Sequence, residues 1–295
     1  MVNMKEDSAG RTPVSTLSKI GLRLRRSRAL VGMLAAAVVL VGGVSFTGAD
    51  VDASVKSKPH GDSRLDEIQR RGYIRACTPG DYRPFALRQA DGSYKGLDIT
   101  MVNDLAKALE VQVRYVPSPW SALVPTFTSQ KCDIAIGGIS VTLTRQKDVF
   151  FSKTVLVNGK VPLTRCENVS RFQKIADMNK PSVKVITPPG GTNEAFARAN
   201  LPLADLIVWP NNITIFDEIV AGRADVMVTE ATEAVVQSKV HPELCAVNPD
   251  KPLQYGELGY MLPKGDIVWK EFVDQWLHLL IASGQFQKFY DADVR

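Results

Sequence analysis

The stretch Val183–Asn200 (VKVITPPGGTNEAFARAN) decides the fold class. Val183–Thr187 is apolar and β-branched, as a strand requires. Pro188, Pro189, Gly190 and Gly191 break the strand and let the backbone turn sharply, and Asn193–Asn200 carries helix formers. A strand that turns on glycines directly into a helix is half of a βαβ unit. The same order continues on both sides. Downstream, Leu206–Val208 reads as a strand and Thr214–Ala221 as a helix with the stripe Ile215, Phe216, Ile219 and Val220. Ala224–Val228 follows as a strand, Glu230–Lys239 as a helix, Gly259–Leu262 as a strand and Trp269–Ser283 as a long helix. The expected core face of that last helix is Trp269, Phe272, Trp276, Leu279 and Leu280. Upstream, Ser63–Arg71 is a short helix stopped by Gly72, and Tyr73–Cys77 a strand. Ile99–Leu109 has Met101, Leu105 and Leu109 at helical spacing, Val111–Val116 is a strand, Leu123–Thr128 a helix and Asp133–Ile136 a buried strand. Such alternation predicts an α/β protein with a parallel or mixed sheet covered by helices.

With 295 residues the chain is long enough for two domains. Its net charge of +5 is not spread over the body. Residues 1–49 hold seven Lys/Arg and two Asp/Glu, which accounts for all of it. A neutral body argues against nucleic-acid binding. The basic cluster leads into Ala29–Val44, a run without polar side chains, and then Thr47, Gly48 and Ala49. That is the order of a secretory signal. Cleavage is placed after Ala49, with Ala53 as the alternative; left uncleaved, the run would be a membrane anchor. Residues 50–62 read as a polar linker.

Export permits disulfides. Cys166 and Cys245 flank the middle segment and are the expected pair; Cys77 and Cys132 lie in apolar, strand-like contexts and read as buried thiols. No CxxC spacing, histidine cluster or Ser-His-Asp pattern occurs, so neither a metal nor a cofactor is expected.

Three segments can carry chemistry, each after a strand, where open α/β sheets bind ligands. In Gly138–Arg145, backbone N–H groups and the hydroxyls of Ser140 and Thr142 precede Arg145, which suits a carboxylate. In Pro188–Glu194, Thr192 and Asn193 sit at a helix N-terminus, where they either attract an anion or simply cap. In Thr229–Ala234, Glu230 and Glu233 share one helix face, either as favourable charge at a helix start or with one serving as a general acid.

From about Ser63 to Phe289 the chain resembles the polar amino-acid class of periplasmic binding proteins, through Gly80–Phe85 with Tyr82, Gly96 and Asp98, Trp120, and Thr142 with Arg145. Within that class it is most similar to the periplasmic cyclohexadienyl (arogenate or prephenate) dehydratases, through Pro189–Leu201, Asn212–Phe216, His241–Val247 and Val273–His278. It departs from the class at Phe151–Val155. The resemblance implies a two-lobed fold of periplasmic binding protein type II with a cleft between lobes. Residues 63–155 and 254–295 would form one lobe and 156–253 the other. It also implies a periplasmic lyase that turns prephenate into phenylpyruvate, and arogenate into phenylalanine, without a cofactor. Glu233 would be the general acid. Arg145, Thr142, Ser140, Gly138, Trp120, Tyr82, Thr192, Asn193 and Glu230 would hold the small anionic substrate. The competing reading is an amino-acid receptor of a membrane transporter.

Overall fold

The structure, a computed structural model, describes residues 63–295. The expected signal segment with Ala29–Val44, its cleavage point and the linker 50–62 lie outside the described residues.

Helix α1 (Arg64–Arg71) starts at a capping box of Ser63 and Asp66 and stops at Gly72, whose φ of 74° is left-handed. Strand β1 (Tyr73–Thr78) enters the interior. Short strands β2 (Asp81–Tyr82), β3 (Ala86–Arg88) and β4 (Tyr94–Lys95) make a small antiparallel sheet that no sequence signal announced. Helix α2 (Leu97–Ala108), β5 (Gln112–Pro117), α3 (Leu123–Thr128), β6 (Ile134–Ala135), the single turn α4 (Leu143–Gln146) and β7 (Phe150–Phe151) complete the first half. The long β8 (Leu156–Arg165) leads to α5 (Ile175–Met178), β9 (Lys184–Thr187), α6 (Thr192–Asn200), β10 (Asp205–Val208), α7 (Ile215–Val220), β11 (Val226–Glu230), α8 (Ala231–Val240) and β12 (Leu244–Ala246). The chain closes with β13 (Gln254–Leu258), β14 (Met261–Leu262), α9 (Ile267–Ala282) and α10 (Gln285–Asp293).

These strands form two principal sheets. The first has the order β5-β1-β6-β14-β7, with β5, β1 and β6 parallel. The second has the order β10-β9-β11-β8-β12, with β10, β9 and β11 parallel and β8 antiparallel to β11. Each sheet has its own apolar core, the first around Trp269, Leu105 and Ile134, the second around Ile186, Phe216 and Met227. The protein is thus a two-lobed α/β structure. β8 and β13 join the lobes as an antiparallel pair running from Leu258↔Leu156 to Gln254↔Lys160. Leu258 packs in the first core while Val161 and Leu163 pack in the second. The expected boundaries at 156 and 254 therefore fall at the starts of two strands that both lobes share.

Two expectations need correction. Along α9, Trp269, Val273, Trp276, Leu277 and Leu280 are buried, whereas Leu279 is 58% exposed and Phe272 only partly buried. The buried stripe follows the 3.6-residue period from Trp269, and Leu279 lies a step of about 100° off it. Cys77 and Cys132 are not thiols but a disulfide, with Cα atoms 5.7 Å apart. β1 and β6 are neighbours with Ala76 opposite Ile134, and Cys132 immediately precedes β6. Sheet pairing, not sequence spacing, brings the two together. Cys166 and Cys245 are also bonded, Cα atoms 4.8 Å apart, where β12 pairs with the end of β8.

Each bond closes a long loop, of 55 and 79 residues. Breaking either by Cys→Ser substitution is expected to lower stability by about 4 kcal/mol, read as a fall in the urea midpoint. A peptide map made without reductant is expected to contain only Cys77–Cys132 and Cys166–Cys245; any other linkage contradicts this arrangement.

Candidate active site

The ends of five strands converge. β1 leads to Tyr82, β5 to Trp120, β6 to Gly138 and Ser140, β9 to Thr192 and Asn193, and β11 ends on Glu230 just before Glu233. The first three come from one lobe and the last two from the other. A narrow space of about 20 Å³, room for about one water, lies between them, walled by Tyr82, Trp120, Gly138 and Ser140 on one side and Gly191, Thr192, Asn193 and Asn212 on the other.

The lobes touch through polar groups. Ser140 donates to Glu230 Oε1 at 2.8 Å and lies 3.0 Å from the Thr192 hydroxyl. Asn212 Nδ2 donates to the carbonyl of Asp81 at 3.2 Å. The cleft is closed.

A buried ammonium lies at its floor. Lys160 on β8 stands directly opposite Glu230 on β11. Its Nζ donates to Glu230 Oε1 at 2.7 Å, to Thr192 Oγ1 at 2.9 Å and to Asn193 Oδ1 at 2.5 Å. Glu230 Oε2 is buried without a partner. On the far side of this cluster a second space, about 260 Å³, opens beside Thr142, Gly159 and Gly256.

Glu233 is 1% exposed. It accepts from the Thr229 hydroxyl, and Tyr82 bonds to it as well. Asn193 Nδ2 donates to the same Thr229 oxygen at 3.0 Å. Burial pushes the Glu233 carboxyl up to about 8; the bonds from Thr229 and Tyr82 and the charge of Lys160 pull it down, and Asp81 pushes it up. Desolvation dominates, so the group is a neutral acid at pH 7. Tyr82, also buried, stays protonated well above its ordinary range.

Arg145 and Thr142 stand beside this cluster on the turn after Ser140. Thr142 caps α4, its Oγ1 accepting from the Arg145 N–H at 3.2 Å, and it faces the second space. Arg145 Nη1 donates to the carbonyl of Ser140 at 2.8 Å. Burial lowers its guanidinium to about 10, partly offset by Glu230, so it remains cationic at neutral pH. Lys160 escaped the sequence reading, because Asn158, Gly159 and Pro162 break the apolar pattern of Leu156–Leu163 around it. Asn212 and Asp81 escaped it too. Asp81 accepts from Trp120 Nε1 at 3.0 Å, and burial raises its carboxyl. Among the described residues no cluster of His, Cys, Asp and Glu could hold a metal.

Two lobes, a cleft at the strand ends and a fully enclosed polar floor define a solute-binding architecture. Residues 74–292 match the bacterial extracellular solute-binding proteins, family 3, and the chain belongs to that family. The cyclohexadienyl dehydratase of Pseudomonas aeruginosa is 47% identical over 223 residues, 76% of this chain and 83% of that protein. The L-cystine-binding protein of Escherichia coli K12 is 25% identical over 90% of this chain and 96% of its own length. Among solved structures, an ancestral amino acid-binding protein, a precursor of cyclohexadienyl dehydratase, aligns at a TM-score of 0.73 and 35% identity, covering 79% of this chain and all of that one. An ancestral cyclohexadienyl dehydratase aligns at 0.51 and 46%, covering 79% of this chain and 97% of that one.

Holding a proton inside the fold has a cost whose sign is fixed. The folded Glu233 keeps its proton up to about 8, whereas the unfolded chain loses it near the ordinary glutamate value. Between the two the folded state binds more protons, so stability falls as pH rises. The deficit, about 5 kcal/mol at most, is complete above pH 8. Glu233→Gln removes it. The variant is expected to have a higher urea midpoint than the parent at pH 8.5 and an equal one at pH 4.5; equal midpoints at both contradict a desolvated acid.

Proposed function

We propose that this protein is an exported cyclohexadienyl dehydratase, which converts prephenate to phenylpyruvate, carbon dioxide and water, and arogenate to phenylalanine in the same way. The observation that carries the reading is Glu233, a carboxyl sealed in the cleft with its proton retained at neutral pH. A receptor gains nothing from a buried acid beside its ligand. The strong likeness to the Pseudomonas enzyme supports the same reading.

The reaction needs a proton for the departing ring hydroxyl and a place for two carboxylates. Glu233 protonates the hydroxyl as the C–O bond breaks, and water leaves. The electrons of the bond to the ring carboxylate flow into the ring, which becomes aromatic, and that carboxylate departs as carbon dioxide. One proton is consumed per turnover, and Glu233 recovers it from solvent. Lys160 and Arg145 supply positive charge for the dianion, with the hydroxyls of Ser140 and Thr192 and the amide of Asn193 as neutral donors. Such fixed dipoles act strongly in a site without water. Trp120 and Tyr82 give the ring apolar walls and Gly138 leaves room for it, while Glu230 holds Lys160 in position. Thr142 fixes the turn that carries Arg145. The β8–β13 pair serves as the hinge between lobes 63–155 with 254–295 and 156–253, and opening at that hinge releases product. The arginine-rich, apolar amino-terminal segment serves as the export signal, and the protein works in the periplasm.

The test is turnover of prephenate near neutral pH, followed by phenylpyruvate absorbance, for the parent and Glu233→Gln. The parent is expected to turn over, with kcat falling on the basic side of about pH 8 as Glu233 ionises. The variant is expected to lose about 1,000-fold in kcat while staying folded. Absence of turnover together with tight binding of an amino acid would establish the receptor instead.

A further inference from the structure

Behind the substrate-facing wall lies a second buried carboxylate with no place in the reaction so far. Asp98, in the first turn of α2, is 2% exposed. Its Oδ2 accepts from the backbone N–H of Gly137 at 2.8 Å and of Gly138 at 2.7 Å, and its Oδ1 accepts from the Tyr260 hydroxyl at 3.1 Å. These glycines begin the loop that runs to Ser140. Both have positive φ, 120° and 68°. A Cβ on Gly138 would lie 2.5 Å from the Phe85 ring and 2.7 Å from that of Tyr82, so the Tyr82 ring rests directly on this backbone. Tyr82 bonds to Glu233, and the loop carries Ser140, whose carbonyl holds Arg145.

We propose that Asp98 is a positioning residue of the active site: its ionised carboxylate clamps the Gly137–Ser140 loop, and protonating it releases the seat of Tyr82, Ser140 and Arg145 and weakens substrate binding. This rests on the dehydratase reading for its substrate. All three groups that face Asp98 are donors. A protonated carboxyl would turn its own O–H against one of them, and only the Tyr260 hydroxyl can rotate to accept. The two bonds from the glycines would also lose their charge assistance, roughly half their strength.

Burial raises the Asp98 carboxyl to about 6, against the pull of the Gly138 and Gly137 N–H groups and of Tyr260. Among the described residues, Tyr260 bonds the carboxylate, and the loop meets Tyr82 at Gly138 and Arg145 and Glu230 at Ser140. Both tyrosines keep their protons far above neutrality and Arg145 keeps its charge to about 10, while Glu230 is paired with Lys160. The clamp is thus complete above about pH 6 and lost below it. Stability runs the other way. A carboxyl raised in the fold destabilises it progressively as pH rises from the ordinary aspartate range to 6, so acidification opens the clamp without weakening the fold through this group.

The experiment measures kcat and KM for prephenate from pH 5 to 9 on the parent and Asp98→Asn, with thermal midpoints and amide exchange at Gly137 and Gly138. Carboxylates of the substrate class titrate below this range. In the parent, KM is expected to rise about tenfold per pH unit below 6 while the thermal midpoint holds. The asparagine keeps the shape but not the charge. Its KM at pH 7.5 is expected to be about tenfold higher, unchanged down to pH 5, with faster exchange at both glycines and no lower thermal midpoint. An asparagine variant that retains the parent's acid rise in KM, or whose KM and glycine protection match the parent's at pH 7.5, overturns the proposal. Should the parent not turn prephenate over, the dehydratase reading fails, and the exchange data still decide on Asp98. Protection lost below pH 6 supports the clamp, and protection unchanged to pH 5 refutes it.

Discussion

A lysine and a glutamate buried opposite each other on neighbouring strands are the constraint around which the cleft is arranged. Taking two such charges out of water costs several kcal/mol each unless every remaining lone pair and proton finds a partner. Lys160 has three acceptors, Glu230, Thr192 and Asn193. Glu230 receives the ammonium and, from the other lobe, the hydroxyl of Ser140, both on Oε1, and leaves Oε2 buried without a partner. Partnering the ammonium and Oε1 draws the first residues of α6 onto β8 and the opposite lobe down onto both. Closure is in part the completion of an ion pair's hydrogen bonds.

Three acids are buried within this region, and their surroundings give them different tasks. Asp98 faces two backbone N–H groups and a phenol, all donors, and acts as an anion. Glu230 faces an ammonium. Glu233 receives only hydroxyl partners, with Lys160 and Asp81 acting on it in opposite directions, so desolvation prevails and it keeps its proton. The side chains are chemically alike; the number and charge of nearby donors separates a clamp, a counter-ion and an acid.

Much of the fold was legible because it depends on local pattern. The periods of α2, α7 and α9 and the strand-glycine-helix order at Val183–Asn200 follow from propensity and spacing. The strand-end positions of Ser140, Thr192, Asn193 and Glu230 follow from the same order, and the four meet in one hydrogen-bonded cluster. Features set by pairing at a distance were illegible. Cys77 meets Cys132 because β1 lies beside β6, and the sheet of β2, β3 and β4 consists of strands too short to show alternation. Lys160 sits in a strand interrupted by Asn158, Gly159 and Pro162, which hid its regular structure. Gly159 is required there, because a Cβ would lie 2.5 Å from the carbonyl of Gln254 on the partner strand.

The dryness of Glu233 is not the property of one lobe. The carboxyl and Thr229 belong to the second lobe, but Tyr82, which covers and bonds the acid, comes from the first. Separating the lobes admits water to the carboxyl and takes away the desolvation that raises it. The acid is thereby created by closure and dissolved by opening. With Glu233 as the acid of the proposed reaction, this order is useful after turnover. A closed site that has just given up its proton holds a buried carboxylate with only two hydroxyl donors, a poor arrangement for an anion. Opening relieves that anion, lets product leave and exposes the carboxylate to the water from which it is reprotonated. On the proposed mechanism one hinge motion serves both release and recharging, and a binding fold becomes an enzyme by tying a proton to the closure of its cleft.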